Sequence, residues 1–504
     1  MQWVDNSYHR LESKYGKTNS KLVAESMSAA IDLIEKVVKD ENLHCSFARV
    51  PGYLFPAEYN DKKHLKELDQ ELEACHRAGL ADVAKVDRGG KPFHGSLHEA
   101  LLFPASAEFQ PLEYLNGLAS VLTKKYGVKL FEMSRVMRKD LGWDGQVQSQ
   151  AGGCIKAREA LVHATNTPVN NNQLIHTRQQ AYRTYMLALA LDKGSVERAC
   201  WWSTEDPYHY VRIHHHKGHD VLLVGGSDHT TGRPTPEYYD AWAELEAFAR
   251  KRWPQCKEVV GRWSGQVYEP VDDLGLYGLD LLNPLNLEAA AEQGGTLLNV
   301  AEGVVAPVLE GVASLVPGGK ELLHRTVKRY IATGDSGQGI TGGAIAAMVI
   351  GDHILGRPNP WAELYSPGRT LSLLAPSSLQ DLGKAVALTT EGLGSVPIPR
   401  GPEDVKGLVL PNSVPHLKPG EGAVVQQGLQ KVAVYCDPKT GKLHKRSALC
   451  THLSCLVAWN PNDSTFDCCC HGSQFSCYGH VISGPACVDL KELEPEQAAA
   501  QQQA

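Results

Sequence analysis

Between Ser20 and Lys39 apolar residues recur at helical spacing, at Leu22, Ala29, Ile31, Ile34 and Val37, which predicts an amphipathic helix. Strand-like runs follow at Cys45–Val50 and Tyr53–Phe55, and a second helix is expected over about His64–Ala78. A third helix is expected near Leu112–Tyr126, and the alternating stretch Val128–Glu132 reads as a strand. A glycine-rich run, Ala332-Thr333-Gly334-Asp335-Ser336-Gly337-Gln338-Gly339-Ile340-Thr341-Gly342-Gly343, leads into the apolar stretch Ala344–Leu355. Nearer the C-terminus, Ala423–Val425 and Val432–Tyr435 have strand character, and Asp437-Pro438-Lys439-Thr440-Gly441 is turn chemistry leading into Leu443. The pattern predicts an α+β chain that ends in a small antiparallel β domain, from about Lys418 to Leu490.

Composition narrows the class. At 504 residues, 42% hydrophobic and 21% charged, the chain has the make-up of a soluble globular protein of two or three domains. A formal charge of −7 argues against nucleic acid as the main partner. Met1–Tyr15 carries charges and no apolar h-region, and no run of eighteen apolar residues occurs. No secretory signal and no membrane span are therefore expected, and a cytoplasmic location is. Of 13 cysteines, eight fall from Cys436 onward, a clustering that marks cofactor chemistry and not a secreted disulfide framework. Ser366–Leu417, with Pro376, Pro397, Pro399, Pro402, Pro411 and Pro415, reads as a linker, and the Gln/Ala tail after Glu496 as disordered.

The chemistry is concentrated between Cys450 and His471. Cys450-Thr451-His452 is followed, sixteen positions on from His452, by Cys468-Cys469-Cys470-His471. Reduced to donors this is C-x-H, a gap, and C-x-x-H. Two thiolates and two imidazoles are the donor set of a Rieske [2Fe–2S] centre, in which two cysteines hold one iron and two histidines the other. A Cys₂His₂ zinc site is the other reading, although structural zinc favours C-x₂₋₄-C pairs over C-x-H.

The two stretches Cys450–Cys455 and Cys468–Ser473 resemble the Rieske family, whose pattern is C-T-H-L-G-C followed by C-P-C-H-G-S. The resemblance implies Cys450 and Cys468 on a buried iron, His452 and His471 on an exposed one, and a disulfide between Cys455 and Cys470. Ser454 stands where the family has Gly, Cys469 where it has Pro, and Phe466 where it has Trp. Ser473 occupies the place of the serine whose hydroxyl meets a bridging sulfide. Phe475 replaces a tyrosine that donates a second hydrogen bond in high-potential members, so a lower potential is expected here. Gly484-Pro485-Ala486 resembles the family's proline loop.

A second resemblance rests on a series of motifs in order. These are Ala164-Thr165-Asn166-Thr167-Pro168, Asp206-Pro207-Tyr208-His209-Tyr210-Val211-Arg212, Val224-Gly225-Gly226-Ser227-Asp228-His229, Arg262-Trp263-Ser264-Gly265-Gln266 and Tyr268-Glu269-Pro270-Val271-Asp272. The series resembles FAD-dependent oxidoreductases of the D-amino-acid-oxidase type that carry a C-terminal Rieske domain. The resemblance implies that the glycine-rich run packs against FAD, through Gly334, Ser336, Gly337, Gly339, Ile340 and Thr341. The G-x-G-x-x-G turn that holds the FAD pyrophosphate in such enzymes is absent, and Gly225-Gly226 does not replace it. A truncated oxidoreductase domain is thus expected over residues 1–365, a linker over 366–417, the Rieske domain over 418–490 and a tail over 491–504. Residues 279–323 match nothing in the series and read as a peripheral helix or an insertion.

The implied function is transfer of electrons between a flavin site, fed by a small-molecule substrate, and an outside electron-transfer partner through the cluster. The other reading is an iron–sulfur electron-transfer protein that has lost FAD and has no catalysis of its own. Among remaining candidates, Arg178, Arg183 and Arg212 could hold a substrate carboxylate. Asp228-His229 suits either acid–base work or a turn, and His214-His215-His216 reads as a solvated loop.

Overall fold

The computed structural model describes residues 2–56, 62–87, 99–136, 146–149, 151–168, 173–176, 178–205, 207–216, 218–233, 240–280, 327–369, 414–428 and 430–493. Apart from their ends, the expected insertion at 279–323, linker at 366–417 and tail at 491–504 lie outside the described residues. In chain order the elements begin with α1 (Tyr8–Asp40), β1 (Ala48–Phe55), α2 (Lys62–Arg77), β2 (Ala84–Asp87), β3 (Glu99–Glu108) and α3 (Pro111–Lys124). There follow β4 (Gln146–Gln148), β5 (Cys154–Lys156), β6 (Ala160–His163), α4 (Gln173–His176), β7 (Gln179–Leu191) and β8 (Cys200–Ser203). Next come β9 (Tyr210–His216), β10 (His219–Thr230), α5 (Ala241–Arg252), β11 (Val259–Pro270), β12 (Leu276–Leu279), β13 (Lys328–Thr333), α6 (Gly339–Ile354) and α7 (Ala362–Tyr365). The last seven are β14 (Gly422–Gln427), β15 (Gln430–Cys436), β16 (Leu443–Ser447), β17 (Val457–Asn460), β18 (Thr465–Cys468), β19 (Gln474–Ser476) and β20 (Val481–Ser483).

The chain divides into two compact units. The first is formed by Met1–Pro168, Thr184–Asp228 and Ala241–Leu379, the second by Val169–Arg183, His229–Asp240 and Gln380–Ala504. The Rieske stretch therefore shares its unit with two short stretches of the preceding sequence.

In the first unit the expected amphipathic helix is α1, longer than the apolar pattern announced and kinked at Gly16, where φ is 79°. Its buried residues, Val23, Ala24, Met27, Ala30, Ile31 and Ile34, line one face at helical spacing. That face packs on α2 and α6 in a core shared with Leu68, Ala74, Ile345 and Val349. The start of α1 is held by the buried carboxylate of Glu71, which accepts from the Tyr8 and His9 amides at 2.9 Å each. A negative charge is favourable there because the first amides of a helix lack intrahelical partners.

An eight-stranded sheet runs in the order β11-β7-β10-β9-β8-β1-β3-β2. Along β7 buried and half-buried positions alternate over most of the strand, as expected for a sheet with one face in the core. The two expected runs at Cys45–Val50 and Tyr53–Phe55 merge into the one strand β1, bulged between Val50 and Gly52. A three-stranded sheet, β12-β13-β6, carries β13 into the start of α6.

Two expectations fail. Val128–Glu132 is not a strand: the Val128 amide bonds to the Leu122 carbonyl at 3.0 Å to finish α3, and Val128, Leu130 and Phe131 are exposed. His214–His216 is not a loop but the end of β9, paired with His219–Val221, and His215 Nδ1 meets the Asp220 carboxylate.

The second unit contains a three-stranded antiparallel sheet, β14-β15-β16, and a four-stranded one, β17-β18-β19-β20. The expected strands at Ala423–Val425 and Val432–Tyr435 lie in β14 and β15, and the Asp437–Gly441 turn leads into β16. Its core gathers Tyr435, Val457, Phe466, Phe475 and Leu490 around the cysteines.

Candidate metal centre and flavin cavity

Two loops with the same hydrogen-bond plan build the candidate metal centre. In the first, the Cys450 amide bonds to the Cys455 carbonyl and the Ser454 amide returns to the Cys450 carbonyl, both at 2.8 Å. In the second, the Cys468 amide bonds to the Ser473 carbonyl at 2.8 Å and the Gly472 amide to the Cys468 carbonyl at 3.1 Å. Both loops need a left-handed residue before they close. Gly472 supplies it with φ at 73°, while Ser454 supplies it with φ at 61°. A side chain is strained there, so Ser454→Gly is expected to stabilise this unit by about 1 kcal/mol, read as a higher thermal midpoint. An unchanged or lower midpoint would remove the argument.

The strand pair β17–β18 sets Val457 opposite Cys468, which brings the loops side by side. A Cys455–Cys470 disulfide ties them, with sulfurs 2.15 Å apart, as the resemblance implied; Cys469 takes no part in it. The sulfurs of Cys455, Cys468 and Cys470 lie within 4.8 Å of one another. Because two of them are bonded to each other, they wall the site but offer no thiolate. The Cys450 and Cys468 thiols are buried and share a hydrogen bond. That bond pulls the Cys450 thiol down to about 7, against the effect of burial, while the same bond and burial push Cys468 up. Burial lowers His471 to about 4, so its imidazole is neutral and has a lone pair to give. The donors thus suit iron held by thiolates on one side and imidazoles on the other.

The histidines are less exposed than the resemblance implied. His452 is 8% and His471 4% exposed. Their rings meet edge to face, centroids 5.0 Å apart, and both touch His176 of α4. On the other side Ser473 Oγ accepts from the Ala486 amide at 3.0 Å, so Gly484-Pro485-Ala486 closes over the second loop. Phe475 is fully buried and offers no hydroxyl. Phe475→Tyr is expected to raise the midpoint potential of the centre by adding a donor near the sulfurs, measured by redox titration. A potential that falls or stays put would refute this account.

The first unit holds the second candidate site. Gly334, Ser336 and Gly337 all have positive φ, at 70°, 52° and 77°, and turn the chain from β13 into α6. Gln338 caps that helix without a side-chain bond to it; its amide donates to the Trp3 carbonyl and to Asp5 Oδ1, at 3.2 and 2.9 Å. The helix start, Gly337–Thr341, lines a cavity of about 400 Å³ together with Ile31, Ile34, Phe47, Phe109, Cys200 and Arg212. That volume suits a sizeable apolar ligand with a few polar groups. Of the six residues expected at FAD, Gly337, Gly339, Ile340 and Thr341 line this cavity and Ser336 lines smaller ones; Gly334 lines none of the three.

Cys200, Arg212 and Gly337 also border a smaller cavity of about 180 Å³. Its polar lining includes Asp5, Asp228, Glu269, Tyr208, Tyr210 and Arg212. Burial raises Asp5 to about 8, helped by the charge of Glu269, and burial raises Asp228 to about 6. Near pH 7 one acid therefore keeps its proton while the other has shed it, the usual sign of divided acid and base duties. Three of the sequence motifs meet here, through Tyr208, Tyr210 and Arg212, through Asp228, and through Glu269. Asp5 had no sequence signal.

Other candidates go elsewhere. Arg183 lies in the second unit, where its guanidinium pairs with Asp463 and donates to Gln474 at 3.0 Å, so it is not a substrate clamp. Arg178 is buried in the same unit. Gly225 sits opposite Tyr210 in the β9–β10 pair, and a Cβ there would strike the tyrosine ring. It is a packing glycine.

His209, which follows Tyr208 in the chain, is clamped by Glu205 at 2.6 Å and Glu244 at 2.9 Å and stacked on Phe248. Burial pushes its imidazole down, but the two carboxylates outweigh burial and raise it to about 9. The unfolded group titrates near 6.5, so the stabilisation is complete below that pH and is lost as the pH climbs through 9. With Glu244 41% exposed, solvent screening leaves about 1–2 kcal/mol. Thermal stability is expected to fall between pH 6.5 and 9.5 in the native protein and less so in His209→Gln. Parallel curves would contradict this.

These features, a two-loop Cys/His centre and a glycine-led helix start beside a ligand-sized cavity, define a protein built for two redox cofactors. The model of the FAD dependent oxidoreductase family (DAO) matches residues 3–353, and the chain belongs to that family. Residues 410–494 match the Rieske [2Fe-2S] domain. The family implies FAD and the domain implies a [2Fe–2S] cluster. Together they make up an electron-transfer oxidoreductase.

Across 498 residues the chain is 24% identical to YhfW of Bacillus subtilis (strain 168), which carries the name of a Rieske 2Fe-2S iron-sulfur protein; the match spans 97% of this chain and 84% of that one. It is 33% identical over 135 residues to the cytochrome b6-f complex iron-sulfur subunit 3 of Nostoc sp. (strain PCC 7120), covering 26% of this chain and 74% of the subunit. In fold it is similar to L-proline dehydrogenase from P. horikoshii, with TM-score 0.50 and 17% identity over 69% of this chain and 83% of that one. Among the described residues no helix is long and apolar enough to cross a membrane.

Proposed function

We propose that the protein oxidises a small amine and passes the electrons singly to an outside carrier, with FAD and a [2Fe–2S] cluster as its cofactors. The observation that carries this reading is the pair of matching loops that bring two buried thiols and two buried imidazoles together. Cys450 and Cys468 are assigned to one iron and His452 and His471 to the other. The flavoprotein part is assigned to about residues 1–365, the Rieske part to about 418–490 and the compartment to the cytoplasm, where cysteines outside disulfides are at home.

When bound, FAD supplies two-electron chemistry and the cluster one-electron chemistry. The residues of the chain do the rest. The start of α6, capped by no side-chain hydrogen bond, would offer amides and a positive dipole end to FAD in the larger cavity. In the smaller cavity the acids Asp228 and Glu269 draw in a cationic ammonium, and Asp228, mostly ionised near pH 7, takes the proton that the amine must lose before it is oxidised. Arg212 is placed to hold an anionic group of the same substrate.

The test is an absorption spectrum and low-temperature EPR of the purified chain, before and after dithionite. Flavin bands beside a reduced-state signal of low average g support the reading, and bleaching by an added amine completes it. A cluster without flavin would favour an electron-transfer protein with no catalysis of its own. A colourless zinc protein would overturn the reading altogether.

A further inference from the structure

Three contacts within the second unit reach the cluster loops, or the strands that carry them, from outside the Rieske stretch. The first is His176, itself 2% exposed, at the end of α4. Its ring centroid lies 5.3 Å from that of His452, at 76°, and 5.4 Å from that of His471, at 58°. One imidazole thus covers both histidines. The second is Gly232, with φ at 71°. A Cβ there would land on the Cys468–Cys469 peptide, 2.7 Å from the Cys469 Cα, so the two backbones touch in a way that only glycine permits. The third is Arg183, bound to Asp463 and Gln474 on either side of β18.

We infer that His176 is a positioning residue for the [2Fe–2S] centre: it closes the histidine edge, so an outside electron carrier does not reach the cluster there. The inference rests on the assignment of His452 and His471 as ligands. Its reason is geometric. Electron exchange with an outside partner is fastest where a ligand edge is bare, and here that edge is covered by the His176 ring, packed on both histidines. Ile175, fully buried beside His176, keeps α4 seated.

The full-length, cluster-loaded chain is compared with His176→Ala and with His176→Phe, which keeps a ring over the edge. Two quantities are read: the power saturation of the reduced-cluster EPR signal with a soluble chromium oxalate relaxant, and the rate at which ferricyanide takes one electron from each reduced cluster. The native chain is expected to show little relaxation by chromium oxalate. His176→Ala is expected to be oxidised about tenfold faster, with shifted g values, because a group packed on metal ligands has gone. His176→Phe should stay near the native rate. If His176→Ala fails to hold a cluster, the native chain and the Phe variant still decide. Strong relaxation of the native signal overturns the inference, as does a His176→Ala variant with native rate and g values. Absence of any Rieske signal in the native chain would instead count against the ligand assignment, so the two failures are distinct.

Discussion

Cys450→Ser is expected to abolish the low-g EPR signal and strip the chain of iron. A thiolate is a soft donor that iron–sulfur clusters require, and a serine oxygen in its place is hard, weakly acidic and shorter in reach. Cys450 is buried and its thiol is already drawn towards ionisation by Cys468, so the substitution removes a donor prepared for a metal. Without it the second iron-binding loop has no companion. Cys469→Ser is the control: that half-buried thiol lies outside the disulfide, 3.9 Å from the Leu456 carbonyl, and its loss should leave the signal intact. Iron content and EPR together decide. A normal signal in Cys450→Ser, or its loss in Cys469→Ser, would mean that the donors are assigned wrongly.

Arg369→Met is expected to cost the first unit about 3–5 kcal/mol, because it strands the buried Asp272 carboxylate. The guanidinium meets that carboxylate in a two-pronged pair, Nε to Oδ2 at 2.8 Å and Nη2 to Oδ1 at 2.6 Å. It also donates to the carbonyls of Gly275, at 2.7 Å, and Leu274. Both side chains are nearly inaccessible, at 7% and 4% exposure. Tyr15 on α1 ties in through its hydroxyl to the Asp272 carbonyl at 2.6 Å. The residues thus join α1, the turn before β12 and the stretch after α7, three segments far apart in the chain. Most of the loss should come from the uncompensated charge, so adding Asp272→Asn to Arg369→Met is expected to restore part of it. A urea midpoint unmoved by Arg369→Met would show the pair to be dispensable.

The helices were legible wherever an apolar stripe had a core to face. Val23, Ile31 and Ile34 on α1 have such a core, while Val128–Glu132 has strand-like alternation but no partner edge among the described residues. Alternation states that a segment could pair; it does not state that an unpaired edge is within reach. The same limit explains His214–His216, whose polar run hid a strand paired by its backbone. Arg183 looked available for a substrate because the sequence does not say that Asp463, some 280 positions away, will meet it.

By itself the sequence supplied a candidate donor set, the two cysteine-led loops and the glycine-rich entry to α6. Each is local: C-x-H and C-x-x-H need only a tight turn, and a glycine-led turn into a helix needs only residues free to take positive φ. Only the tertiary structure decided that Asp5, Asp228 and Glu269 share one cavity and that His176 lies across His452 and His471. Those meetings depend on long-range packing, in which the position of a side chain is set by the segments that surround it and not by its neighbours in the chain.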